Sequence, residues 1–242
     1  MSWNSSVDVV MKEIHSQGGT VEEMVAGLKR VPLHPQMITA IKSAHSLGCD
    51  LRIVSDANVF FIETILKHYG LLDYFSEIIT NPNQVDEQGR FRVLSYNDLA
   101  FSDPHKCSLA CPPNMCKGKI IERMRDSLAF DEGKKQIIYI GDGKGDFCPS
   151  LKMQEGDYLM PRKNYPVWEL IRNSSIHIKA EIHEWCSGDD FKGKLIDLIN
   201  KIKGAISGND KSVLPPTVTC NYQVVLPHPQ VEGFEILNVA TM

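Results

Sequence analysis

Two aspartates follow one of the most apolar short runs of the chain, in the string IYIGDGKGD at 138–146. The run predicts a buried strand that ends near Asp142, where Gly141 and Gly143 would let the backbone turn tightly. Asp146 could return to the same place from the far side of that turn. Mg²⁺ prefers oxygen ligands such as paired carboxylates, so the string indicates a magnesium site; the alternative is a plain Gly-Asp turn.

A second string, RIVSDAN at 52–58, also ends an apolar run in small polar residues. The hydroxyl and N–H of Ser55 could donate to a phosphate oxygen, and the N-terminus of the helix predicted next would add its dipole. The alternative is that these Ser, Asp and Asn residues only cap that helix, and the two roles are compatible.

Lys117 is the third candidate, because it opens a predicted helix after a long loop rich in Pro and Cys. An ammonium group there could bind a phosphate and offset the charge of the carboxylates. The alternative is an ordinary solvated lysine.

The elements that must position these residues alternate between strand and helix patterns, which predicts an α/β fold with a parallel sheet flanked by helices. Ligands bind such sheets at the carboxyl ends of the strands. That rule places Ser55, Asp56 and the segment 141–146 at one edge. A turn signal at 86–89 predicts a hairpin that begins in the run EIIT, and a last amphipathic helix is expected over 191–202.

Composition excludes several classes of protein. The 242 residues are 43% hydrophobic and 23% charged, with a net charge of −4, which is typical of a soluble globular protein and not of a nucleic-acid binder. No apolar run approaches the roughly 18 residues that cross a bilayer, and no secretory signal is recognisable. We therefore expect a cytoplasmic protein that binds neither nucleic acid nor membrane; nothing indicates its oligomeric state.

The loop HKCSLACPPNMCK at 105–117 offers metal ligands of another kind. His105, Cys107, Cys111 and Cys116 could hold zinc, but the spacing lacks a clean C-x-x-C pair. The pattern therefore favours a packed loop with free thiols. The chain has seven cysteines, an odd number that favours reduced thiols over a disulfide framework, and we expect Cys148 and Cys186 to be small buried residues.

The order of the three motifs resembles motifs two, three and four of the haloacid-dehalogenase superfamily. The strings VSDANVFFIE, CPPNMCKG, GDGKGDFCPS and MPRKNYPVW are similar to one branch of it. That branch contains the phosphoethanolamine/phosphocholine phosphatases and the plant phosphate-starvation-induced phosphatases of pyrophosphatase type. The similarity runs from about Trp3 to Trp185.

The resemblance implies a role for each candidate. Ser55 would bind the transferring phosphoryl group, Asp56 would contact the substrate, and Lys117 would hold the phosphate and the nucleophile. Asp142 would ligate Mg²⁺, with Asp146 as a metal ligand or as support for the metal or the lysine. The implied reaction is hydrolysis of a small phosphate monoester or of pyrophosphate through an aspartyl-phosphate.

The chain departs from that family in one respect, because it contains no Asp-x-Asp sequence to supply the nucleophile and the acid. We expect the first, central strand of the sheet to be missing together with part of a helical cap. The expected organisation is a cap remnant and connection at 1–46, a phosphatase core at 47–206 and a disordered tail at 207–242.

Two other functions were weighed against a phosphatase. The missing Asp-x-Asp favours a catalytically inactive isoform that acts as a phosphate- or metal-binding or regulatory protein. A nucleotide-binding domain is disfavoured, because neither GxxxxGK[ST] nor GxGxxG follows a strand.

Overall fold

The structure, a computed structural model, describes residues 3–97, 105–109, 111–128, 136–207 and 223–225. Within them, helices and strands alternate as expected for an α/β fold. The helices are α1 (Trp3–Ser16), α2 (Val21–Leu28), α3 (Pro35–Ser46), α4 (Val59–His68), α5 (Lys117–Leu128), α6 (Phe147–Ser150), α7 (Pro166–Asn173) and α8 (Gly188–Ser207). The strands are β1 (Leu51–Asn58), β2 (Phe75–Asn81), β3 (Asn83–Val85), β4 (Phe91–Val93), β5 (Ile137–Gly141), β6 (Tyr158–Pro161), β7 (Glu181–Ile182) and β8 (Gln223–Val225).

The main sheet has six strands in the order β2-β1-β8-β5-β6-β7, and neighbouring strands run parallel. Both faces are covered, as parallel sheets require. Alternate residues of β5 serve the two faces: Ile138 and Ile140 pack with α3 and α8, whereas Ile137 and Tyr139 pack with α5. The predicted parallel sheet flanked by helices is therefore confirmed.

The strand at the centre of this sheet comes from the C-terminal part of the chain. β8 pairs with β1 through Leu51↔Val224 and with β5 through Ile138↔Val224. The expected absence of a central strand and the expected disorder from 207 onward are therefore corrected for the three residues of β8. The remaining residues beyond Ser207 lie outside the described part. β8 pairs with Leu51 and Arg52 of β1 and with residues 137–139 of β5, and it thereby satisfies backbone groups of these two facing edges.

Two further elements differ from expectation. The run EIIT belongs to β2, which pairs in parallel with β1 in the main sheet and is not the first strand of the hairpin. The hairpin itself is β3–β4 and starts at Asn83. β7, only two residues long, carries no alternation that could have predicted it.

The helices α1 and α2 lie with the hairpin at one side of the core. Arg92 of β4 donates from Nε and Nη2 to Asp8 of α1 at 2.7 and 3.0 Å, and the Val93 N–H donates to the same carboxylate at 3.2 Å. Burial opposes ionisation of Asp8, but the hydrogen bonds from Arg92 and Lys12 lower its pKa to about 2. A capping box between Thr20 and Glu23 is present at the start of α2.

None of the helices that the structure describes is long and apolar enough to cross a membrane.

Candidate phosphate and metal site

The carboxyl edge of the sheet brings together most of the residues singled out from the sequence. Lys117, at the start of α5, lies with its Nζ 2.9 Å from Oδ1 of Asp146 and 3.9 Å from Oδ2 of Asp56. Asp142 follows β5 directly and is joined to Asp146 by the hydrogen bond described below. Ser55 lies in the last part of β1 and is buried; its Oγ accepts the Ala57 N–H at 3.1 Å. No contact between Ser55 and the other four candidates is described.

The carboxylate of Asp146 is fully engaged by its neighbours. Oδ1 accepts from Nζ of Lys117 and from the hydroxyl of Tyr139, at 2.9 and 2.7 Å. Oδ2 accepts the backbone N–H groups of Asp142 and Gly143 at 3.0 and 2.9 Å. A carboxylate has about four lone-pair sites, so these bonds use its capacity. Burial opposes ionisation, but the charge of Lys117 and the hydroxyl of Tyr139 keep the pKa of Asp146 below its ordinary value.

Gly141 makes this arrangement possible through its lack of a side chain. A Cβ at this position would lie 2.6 Å from Cβ and 2.7 Å from Cγ of Asp146, far closer than real Cβ contacts. The sequence analysis attributed Gly141 and Gly143 to a tight backbone turn, but neither has a positive φ. Close approach of Asp146, and not conformational freedom, explains Gly141.

Lys117 is buried, which excludes the alternative of a solvated lysine. Burial disfavours its charged form, but the carboxylates of Asp146 and Asp56 raise its pKa above the ordinary value. The site therefore holds a fixed ammonium group at the end of the sheet. Such a group binds phosphate oxygens as a point charge.

Asp142 differs from Asp146 in having an unsatisfied oxygen. It is 3% exposed, and its Oδ2 finds no hydrogen-bond partner among the described residues. Burial and the nearby charge of Asp146 raise the pKa of Asp142 to about 6, against the opposite effect of Lys117 and Arg162. A buried, unpartnered carboxylate oxygen fits a hard divalent cation, so the residues present suit Mg²⁺.

Two residues of the site were not singled out from the sequence. Tyr139 lies in the middle of the apolar run of β5, where a buried phenol needs a hydrogen-bond partner, and it finds Asp146. Arg162 follows β6 and lies with its guanidinium carbon 3.9 Å from the ring centroid of Tyr165. Tyr139 could have been singled out, because a tyrosine within a predicted buried strand needs a hydrogen-bond partner. Arg162 could not, because its effect on the pKa of Asp142 depends on a contact between residues distant in the chain.

The end of β1 is fixed by a pair of buried asparagines that the sequence analysis also missed. Nδ2 of Asn81 donates to the carbonyls of Asp56 and Ala57 at 2.5 and 2.7 Å. Oδ1 of Asn81 accepts from Nδ2 of Asn114 at 2.8 Å, which ties the Cys-rich loop to the same place. The cap of α4 is Asn58, whose Oδ1 accepts the Phe61 N–H, so Ser55 is not needed for capping.

Four thiols gather beside Lys117. The Sγ atoms of Cys107, Cys111, Cys116 and Cys148 all lie within 4.8 Å of one another. His105, proposed from the sequence as a zinc ligand, is instead in contact with the Pro112 carbonyl at 2.9 Å. Cys148 is buried as expected.

Cys186 corrects the remaining expectation about the cysteines. It is exposed, and its Sγ donates to Oδ2 of Asp190 at 3.4 Å. The residue lies just before α8, where that carboxylate also accepts the Cys186 N–H, so the thiol stays at the surface.

Comparison with known proteins gives consistent findings. A family model described as Putative Phosphatase matches residues 1–199. Inorganic pyrophosphatase 1 of Arabidopsis thaliana is 55% identical over 204 residues, 84% of this chain and 68% of that protein. Inorganic pyrophosphatase 2 of the same plant is 48% identical over 96% of this chain and 82% of that protein. The phosphoethanolamine/phosphocholine phosphatase of Gallus gallus is 30% identical over 82% of this chain and 74% of that protein.

Proposed function

Because the chain belongs to the Putative Phosphatase family, of haloacid-dehalogenase type, we propose that its site binds Mg²⁺ and the phosphoryl group of a small substrate. The supporting observation is the buried ammonium of Lys117 at the same strand-end edge as the unpartnered Oδ2 of Asp142. One group suits an anion and the other a cation, as a metal-bound phosphate requires.

Pyrophosphate is the first substrate to consider, ahead of a monoester of phosphoethanolamine or phosphocholine type. Two relatives named inorganic pyrophosphatases share 55% and 48% of the aligned residues, whereas the named phosphoethanolamine/phosphocholine phosphatase shares 30%. Both substrates present the same tetrahedral phosphoryl group to the pocket, so they differ only in the leaving group.

The roles of the individual residues follow from their contacts. Ser55 already accepts the Ala57 N–H, which leaves its hydroxyl proton to donate to a phosphoryl oxygen. Lys117 would bind a second oxygen, held in place by Asp146. Asp56, about one third exposed at its side chain, would face the rest of the substrate.

Asp142 would hold the metal directly. When bound there, Mg²⁺ would neutralise charge on the phosphoryl oxygens. Asp146 would act differently, because the four hydrogen bonds that it accepts occupy its lone pairs. Its carboxylate would orient Lys117 and the turn after β5. We therefore assign Asp146 to positioning and Asp142 to the metal.

The nucleophile is the missing part of this proposal. The 242 residues contain no Asp-x-Asp. Within the part of the chain that the structure describes, the Ser55 hydroxyl accepts the backbone N–H of Ala57, and no general base is hydrogen-bonded to it. This chain by itself would then bind Mg²⁺ and phosphate without turning substrate over. The absence of Asp-x-Asp thus also favours the second candidate function, a phosphate- and metal-binding regulatory protein.

The test compares the 242-residue chain with a version extended at its N-terminus by a strand ending in Asp-x-Asp-x-Thr and the rest of a cap. We expect Mg²⁺ and phosphate binding by calorimetry in both, and hydrolysis of pyrophosphate only in the extended version. Lys117→Met should abolish phosphate binding, while the matched surface variant Lys119→Met should keep it. Robust turnover by the 242-residue chain would contradict the assignment of inactivity, and absence of Mg²⁺ binding would contradict the site itself.

A further inference from the structure

The four cysteines beside the phosphate site converge from separate parts of the chain. Cys107 and Cys111 lie in the loop before α5, Cys116 immediately precedes α5, and Cys148 lies in α6. We propose that these four thiolates form a closed structural zinc site. It is distinct from the Mg²⁺ site and uses none of the residues assigned to it.

The distances between the sulfur atoms match those of a tetrahedral metal centre. Sγ of Cys107 lies 3.7 Å from Sγ of Cys111 and 3.7 Å from Sγ of Cys148, and Sγ of Cys116 lies 3.6 Å from Sγ of Cys148. Zinc–sulfur bonds of about 2.3 Å in a tetrahedron separate the sulfurs by roughly 3.8 Å. A disulfide would bring one pair to about 2.05 Å.

The chemistry of the ligands suits zinc and not magnesium. Four thiolates in a tetrahedron suit zinc or iron–sulfur centres, whereas Mg²⁺ prefers oxygen. Four protein ligands leave no open position for water, which is typical of structural and not of catalytic zinc. Two of the sulfurs belong to buried residues, Cys116 and Cys148, so the centre is shielded on that side.

The backbone around the cluster is arranged to admit and stabilise the sulfurs. The Lys119 N–H donates to Sγ of Cys116 at 3.4 Å, which stabilises a thiolate as outer hydrogen bonds do in metal sites. At Gly118, a Cβ would lie 2.4 Å from Sγ of Cys148. A side chain at that position would therefore push one ligand out of the cluster.

The site would join the two segments that carry the phosphate machinery. Cys116 directly precedes Lys117, and Cys148 follows Asp146 by two residues, while Lys117 and Asp146 are in contact at 2.9 Å. A zinc ion would fasten the start of α5 to the start of α6 independently of that ion pair. The site was hard to recognise in the sequence for two reasons. The first three cysteines have the unusual spacing C-x3-C-x4-C, and the fourth ligand, Cys148, is distant in the chain.

The experiment measures zinc by mass spectrometry in protein purified without added metal and after removal of any tag. We expect about one zinc per chain in the wild type. The zinc should be lost in Cys148→Ser and kept in Cys186→Ser and His105→Gln. Protein reconstituted with Co²⁺ should show the intense thiolate charge-transfer and visible bands of a tetrahedral tetrathiolate site.

A glycine pair gives a matched test that leaves all thiols in place. Gly118→Ala should reduce bound zinc severely and lower the melting temperature by on the order of 10 °C. Gly193→Ala in α8, where an added Cβ meets nothing within 4 Å, should keep the zinc and leave the melting temperature unchanged or slightly higher.

Three results would overturn the proposal. The first is wild-type protein that contains no zinc and in which all four thiols react freely with a thiol reagent. The second is a disulfide within the cluster, and the third is bound iron in place of zinc. If the cysteine variants fail to fold, the Co²⁺ spectrum of the wild type decides, because absence of thiolate bands overturns the site without any substitution.

Discussion

At the scale of single residues, the two aspartates after β5 have opposite environments although only three residues separate them. Asp146 accepts four hydrogen bonds, one of them from Lys117, and its pKa is lowered. Asp142 is equally buried but has an unsatisfied oxygen, and its pKa is raised to about 6. The fold thus stabilises the ionised form of Asp146. The ionised form of Asp142 is disfavoured, and a bound cation would stabilise it.

The ionised carboxylate of Asp142 should therefore destabilise the metal-free protein at neutral pH. Its folded pKa of about 6 exceeds the ordinary 3.8, so the cost is absent below about pH 4 and complete above about pH 6. We expect Asp142→Asn to stabilise the protein by up to about 3 kcal/mol at pH 7.5 without metal, and by little at pH 4. Thermal unfolding at both pH values measures this.

Magnesium should reverse the order of stability of the wild type and Asp142→Asn. Mg²⁺ should raise the melting temperature of the wild type and leave Asp142→Asn unchanged, because only the wild type offers the ligand. Asp197→Asn, an exposed substitution in α8, serves as the control. Equal responses to Mg²⁺ in wild type and Asp142→Asn would remove Asp142 from the metal site.

The sequence allowed candidate site residues to be singled out where they end a strand or begin a helix. Asp142 and Lys117 are such residues, and the resemblance to a known family supplied the roles expected of them. Cys148 and Arg162 matter through partners remote in sequence, Cys148 through the other three thiols and Arg162 through its effect on the pKa of Asp142. Periodicity reports which face a residue occupies and not which distant residue it meets.

At the scale of elements, α1 contacts the hairpin through a partly buried charge pair and a small apolar cluster. Asp8 accepts from Arg92 and Val93 at the centre of this contact, next to the small apolar cluster of Met11 and Phe91. The turn signal at 86–89 predicted the hairpin but not the helix that packs against it. Their pairing could not be predicted, since a lone aspartate in a helical pattern gives no indication of its partner.

Asp8→Asn should destabilise the protein by about 1–3 kcal/mol at pH 7, because it leaves Arg92 without its anionic acceptor. The pKa of Asp8 is about 2 against an ordinary 3.8, so its contribution is complete above about pH 4 and is lost as the pH falls through 2. Urea unfolding at pH 7 and pH 3 should show a smaller difference at pH 3. Glu13→Gln, exposed on the same helix, should change little; an equal loss there would refute the role of Asp8.

At the scale of the whole molecule, the sheet depends on its last strand. β8 lies between β1 and β5, so without it neither of the two halves of the sheet, β2-β1 and β5-β6-β7, would meet the other through strand pairing in the described residues. The parallel α/β fold was predictable from the alternation of strands and helices. The source of the central strand was not, because Gln223–Val225 is too short for a pattern and follows a proline-rich stretch.

Deleting residues 208–242 should destabilise the protein far more than deleting 226–242, which keeps β8. At roughly 1 kcal/mol for each ladder hydrogen bond, the loss of β8 should cost about 3–5 kcal/mol. That is a large part of the 5–15 kcal/mol by which a typical domain is stable. Melting temperatures of the two deletions measure the difference, and equal values would show that β8 contributes nothing.

The position of β8 also bears on how the chain acquires its structure during synthesis. Leu51 and Val224 are paired in the centre of the sheet but are far apart in the chain, so this contact closes a very long loop. Until β8 has been synthesised, β1 and β5 each present an open edge to the surroundings. A nascent chain with two unpaired apolar edges is prone to associate with other strands, which predicts that it needs a chaperone more than a domain whose central strand is made first.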